Sequence, residues 1–227
     1  MKKRVFYTEL SYVFGLVIMA FASAFSEKAD FGLSMVVAPA YLLHLKISQF
    51  LPWFTFGVAE YCFQGLLLIA TALIMGKFKT SYLFSFVTAV LYGTLLDFAM
   101  GVIAPLPHDT FAFRVLWYLV GVVFCSFAVS LFFHTYLSPE AYELIVKELA
   151  VKTKKDINKI KTAYDCFSVI LGILLSFSFF GFGVFEGVKL GTILCALING
   201  FLIGLFSKLL DRHFQFKNKF TAEKYFR

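Results

Sequence analysis

Six apolar runs, each long enough to cross a bilayer, recur along the chain at about residues 5–25, 52–76, 81–104, 113–134, 162–183 and 187–210. A helix rises about 1.5 Å per residue and the hydrocarbon layer is about 30 Å thick, so about 20 residues suffice for a crossing. Two shorter apolar elements lie between these runs. Leu33 to Ile47, preceded by Asp30, follows the first; Ser138 to Val151 follows the fourth. The second opens with Ser138-Pro139-Glu140 and carries acids in its first turn, the signature of a helix start. Both are too short to span and read as interfacial or re-entrant pieces. The pattern predicts an all-α, polytopic transmembrane helical bundle.

The two halves of this pattern match. Tyr12-x-x-Gly15-x-Val17-x-x-Ala20-Phe21-Ala22 in the first span parallels Tyr118-x-x-Gly121-x-Val123-x-x-Ser126-Phe127-Ala128 in the fourth. Ala89-x-x-x-Gly93 parallels Ala196-x-x-x-Gly200. Pro39-Ala40-Tyr41 in one short element corresponds to Pro139-Glu140-Ala141-Tyr142 in the other. The predicted organisation is therefore a three-span repeat over 1–104, a second over 105–211, and a basic tail over 212–227. Three crossings per unit force the second copy to insert upside down, a recurring plan of secondary transporters, whose sites lie near the midplane between repeats.

Composition agrees. Of 227 residues 60% are hydrophobic, 31 of them Phe, and only 15% are charged, against about 25% in soluble domains. Disorder, a collagen-like rod and a soluble nucleic-acid binder are excluded as readings. The net charge of +7 is explained by topology: Lys2, Lys3, Arg4, Lys77, Lys79, the 147–161 lysines and the tail from Lys208 all fall on one side, which places both termini in the cytoplasm. Lys2-Lys3-Arg4, an apolar run and Ala22-Ser23-Ala24 also have the form of a secretory signal. The run is long, carries Glu9 and Ser11, and is needed by the repeat, so it is read as a retained span, with Glu9 pairing the basic N-terminus.

Further residues carry a family resemblance: the run from Phe31 through Pro39 to Leu43, then Tyr92-Gly93-Thr94-Leu95-Leu96-Asp97, the stretch from Pro139 through Asp165, and Gly191-Thr192-Ile193 with Gly200. On these patterns the chain resembles the YczE/YitT-like family of bacterial integral membrane proteins. The resemblance implies a multi-pass protein of the bacterial cell membrane; it implies no particular activity.

Charged groups within a bilayer cost about 2.5–3.5 kcal/mol each on insertion scales, so each invites a reason. Glu60 and Gln64 stand four apart on one face of the second span, with Gly57 and Thr71 roughly sharing it. Asp97 lies in the third span, Asp165 near the start of the fifth, and Asn199 in the sixth. The functional reading is a central polar cavity in which Glu60 or Asp97 binds a cation or proton while Gln64, Tyr92 and Asn199 hold a solute; Asp165 completes the set. The structural alternatives are a solvated or Lys161-paired Asp165, a shallow Asp97, and interhelical hydrogen bonding by Gln64 and Asn199.

Cys62, Cys125, Cys166 and Cys195 show no metal or disulfide spacing and read as small packing residues between helices. Ala196, Gly200 and Gly204 form a small-residue stripe, read as packing within the monomer over a homo-oligomer face. No P-loop, GxGxxG, HExxH or GxSxG stands in the chain, so no enzyme, metal site or cofactor is expected. The expected partners are the lipid bilayer and a small solute or ion, with no nucleic acid. The leading expectation is a secondary transporter; a substrate-capture subunit or a membrane scaffold is the alternative.

Overall fold

The computed structural model describes residues 3–137, 140–155 and 157–219. Lys2, the Ser138-Pro139 part of the expected helix start and the second half of the expected basic tail, from residue 220, lie outside the described residues.

All six apolar runs are helices: α1 (Thr8–Ala29), α3 (Phe56–Met75), α4 (Thr80–Ile103), α5 (Phe111–Phe132), α7 (Ile157–Phe180) and α8 (Leu190–His213). Each is long and apolar enough to cross a membrane. The short elements are α2 (Ala38–Ile47) and α6 (Ala141–Thr153). One feature departs from the all-helical expectation. Arg4–Tyr7 and Phe214–Lys217 form strands β1 and β2, which pair in parallel from Arg4 opposite Phe214 to Tyr7 opposite Lys217. This clasp ties the two chain ends to one end of the bundle. At that end Glu9 accepts hydrogen bonds from Tyr136 Oη at 2.9 Å and from the Lys219 backbone N–H at 3.0 Å.

α1 is the helix on which the bundle is assembled. Its Leu16, Ala20 and Ala24 are buried with Phe56 of α3 and Leu96 and Ala99 of α4. Small side chains let backbones approach closely where no hydrophobic gradient drives helices together. Antiparallel α1 and α5 pack reciprocally. Gly15 faces Phe132, and Gly121, 106 residues after Gly15, faces Ser26, 106 residues before Phe132. Ser11 Oγ donates to Leu131 O at 2.8 Å; Phe25 stacks on Trp117 at 5.4 Å, with the same offset.

The pattern extends outward. α1 packs on α4 as α5 packs on α8, and α3 packs on α6 as α7 packs on α2. Lys46 at the end of α2 donates to Phe179 O on α7, and Lys152, 106 positions later, donates to Ile74 O on α3. The halves then diverge. α3 lies along α4, whereas α7 and α8 make no comparable contact among the described residues. α8 is the least buried span. Ala196, Gly200 and Gly204 are exposed, and nothing stands within 4 Å of a Cβ added at Gly200 or Gly204. The stripe therefore does not serve packing within the monomer. Cys62 and Cys166 are likewise exposed rather than wedged between helices.

Candidate functional site

α6 begins inside the bundle. Its first residue, Ala141, donates its backbone N–H to Gln64 Oε1 at 3.2 Å, and Gln64 lies eight residues into α3 and eleven from its end. By Lys152, α6 has descended to Ile74, one residue from the end of α3. It is thus a re-entrant half-helix whose N-terminus stands at about mid-span. A helix start carries backbone N–H groups without helical partners, and water is not at hand in a bilayer to meet them. Gln64 meets one of them.

The same amide holds one acid and stands beside a second. Gln64 Nε2 donates to Glu60 Oε2 at 3.2 Å, and Glu140, the residue before Ala141 at the head of α6, lies within electrostatic range of Glu60. Tyr142 Oη donates to Glu60 Oε2 at 2.8 Å. Glu60 and Gln64 are 0% exposed. Glu60 Oε1 and Glu140 Oε1 are both buried without a hydrogen-bond partner. Two elements distant in sequence, α3 and α6, thereby enclose a carboxyl pair served by one amide and one phenol. Glu140 lies within electrostatic range of two further acids, Glu60 and Glu143.

The other expected site residues disperse. Tyr92 is close: it is fully buried, hydrogen-bonds Ser23 Oγ at 2.7 Å, and lies within electrostatic range of Glu60 and Glu140. Asp97 instead caps the start of α3. It accepts from Thr55 Oγ1 at 2.5 Å and from the Gly57 N–H at 2.8 Å, a carboxylate at the positive end of a helix. Asp165 pairs with Lys161 at 3.0 Å, and Lys161 also reaches Glu143 at 3.4 Å, so the three form an ion cluster between α6 and α7. Asn199 accepts from Ser126 Oγ at 2.6 Å, joining α8 to α5. The expected single cavity over all six residues is therefore replaced by a smaller centre at Glu60 and Gln64 beside Tyr92. Glu140 and Tyr142 complete that centre and were not expected. Their signal lay in the short element: read as re-entrant rather than interfacial, it carries its first-turn acid into the membrane.

Six long apolar helices, lipid-facing Leu and Phe side chains such as Leu73, Leu197 and Phe201, and a half-helix ending inside the bundle define a multi-pass integral membrane protein. Within that class the chain belongs to a family of unknown function, DUF6198, whose model matches residues 6–208. That match does not name the YczE/YitT-like group, and the finer resemblance rests on the sequence patterns alone. No curated protein and no solved structure matches the chain.

Proposed function

We propose that this protein is a secondary transporter of a small solute or ion, with its site between two inverted repeats at 1–104 and 105–211 and both termini in the cytoplasm of a bacterial cell. One observation carries the reading: a fully buried glutamate in a span, with one oxygen unpartnered, meets the mid-span start of a half-helix from the other half. Half-helix termini beside buried polar groups are the usual ingredients of transporter sites, and an intramembrane carboxyl calls for a functional reason. The recurring offset of contacts between halves supports the two-repeat plan. The basic residues support the orientation, and no group is assigned a catalytic role.

A membrane scaffold is the second reading. It is favoured by the closed packing of Glu60 and Gln64 and by the placement of an apolar cleft of about 190 Å³ elsewhere, among Phe6, Phe14, Phe127 and Phe214. Thermal unfolding across a panel of small solutes, at two pH values and with or without sodium, separates the two. A ligand at a hundredfold excess over Kd stabilises the native state by about 2.7 kcal/mol. Stabilisation by one solute class that disappears in Glu60→Gln is expected. Indifference to the whole panel selects the scaffold.

A further inference from the structure

We infer that Glu60 and Glu140 are the two carboxyls of one proton-binding site, sharing a single proton between α3 and α6, and that this proton is the coupling ion. The coupling role rests on the transport reading above; the proton site does not.

The geometry supports one proton for two acids. Gln64 and Tyr142 both donate to Glu60, and Glu140 stands one residue before Ala141, whose N–H donates to the same Gln64. One oxygen on each acid stays buried and unpartnered. Two carboxylates in a closed site repel, and burial disfavours each charge. A single proton reduces the pair from two negative charges to one and supplies the O–H donor that the orphan oxygens lack. A metal ion fits less well. A hard cation such as Mg²⁺ asks for about six oxygens, and no cluster of three or more His, Cys, Asp or Glu side chains able to hold a metal stands among the described residues.

The surroundings leave the pair without a committed cation. Tyr12 of α1, Tyr92 of α4, Cys125 of α5 and Tyr142 of α6 lie within electrostatic range of one or both acids, and none is a cationic side chain. Tyr164 of α7 is also within electrostatic range of Glu60. Glu143 adds negative charge near Glu140. Lys161 is the cation facing Glu140, and it is already engaged by Glu143 and Asp165. On α4, Asp97 is held by Thr55 and Gly57, and Lys79, just before α4, is held by Glu148. On α2, Tyr41, His44 and Lys46 bond Glu27, Phe54 and Phe179 instead. Protonation adds one proton from the aqueous phase to the pair, and release returns it.

Infrared spectroscopy of the full chain in lipid nanodiscs at neutral pH tests the site directly. The expected result is a protonated-carboxyl stretching band that shifts or weakens in Glu60→Gln and in Glu140→Gln, vanishes in the double variant and survives Glu143→Gln. No such band, or one that both single variants leave unchanged, overturns the proposal. A band bleached by sodium but not potassium overturns it in favour of a metal ion. Should Glu60→Gln fail to fold, Glu140→Gln, on the edge of the centre, carries the test. Flux in proteoliposomes is read separately. The band without flux retains the proton site and removes the transport reading; flux without the band does the reverse.

Discussion

Two half-helices begin inside this bundle, and they meet the same problem in different ways. Where α2 starts, at Ala38 opposite Gly172 and Val188, the neighbourhood is apolar. Its first N–H groups are satisfied locally: Val37 and Ala38 both donate to Ser34 O at 3.0 Å, and Pro39 has no N–H to satisfy. Where α6 starts, at Ala141, the partner is a side chain from another helix, Gln64. The crossings are related by nearly the same offset, since Gly172 stands 108 positions after Gln64. One crossing was made self-sufficient and dry. The other depends on a polar side chain that also holds Glu60. Two crossings at nearly the same offset thus differ in kind: one is packed with apolar groups and the other encloses a polar centre.

The sharpest way to test the difference between the halves is at their glycines. A Cβ on Gly57 would lie 1.9 Å from Gly93 O, a backbone atom with nowhere to go. Gly57→Ala is expected to lose at least the about 3 kcal/mol that marks severe overpacking. Gly200→Ala, which meets nothing within 4 Å, is expected to stay within about 1 kcal/mol of wild type, with helix propensity favouring alanine. Thermal unfolding in detergent compares them, and equal losses would mean that α8 packs as tightly as α3.

At the crossings themselves, Gln64→Leu strands the Ala141 N–H and removes a donor from Glu60. A loss of about 1–3 kcal/mol follows from leaving a buried polar group unpaired. Gly172→Ala presses only on the Cγ2 of Val188, at 2.7 Å, and a smaller loss is expected in the same assay.

The smallest effect is expected at Asp165, whose pair with Lys161 is partly exposed. Asp165→Asn should cost under about 1 kcal/mol and leave flux intact. A variant that loses flux would return Asp165 to the site.

Glu60 and Gln64 were legible in the sequence because four residues bring side chains to one helix face, and a polar face in an apolar run stands out. Asp97, Asp165 and Asn199 stood out equally, yet they serve a helix start, an ion cluster and an interhelical bond. Periodicity reports which face a residue shares within its own helix. It does not report which neighbour that face meets or at what depth. Glu140 was hidden for the complementary reason: an acid in the first turn of a short helix reads as a solvated capping group until the depth of that helix is known. The β1–β2 clasp was also hidden, because four-residue strands at opposite ends of the chain have no local partner to betray them.

The six spans and the two short elements could be read from the chain alone, because each is written in local hydrophobicity. The fold was needed to place the start of α6 at about mid-span, to bring Gln64 to both Glu60 and the Ala141 N–H, and to set α7 apart from α8, among the described residues, where α3 and α4 close. Those outcomes depend on contacts between segments far apart in the chain, where a single glycine facing a glycine, or an amide facing a helix start, settles which surfaces can meet.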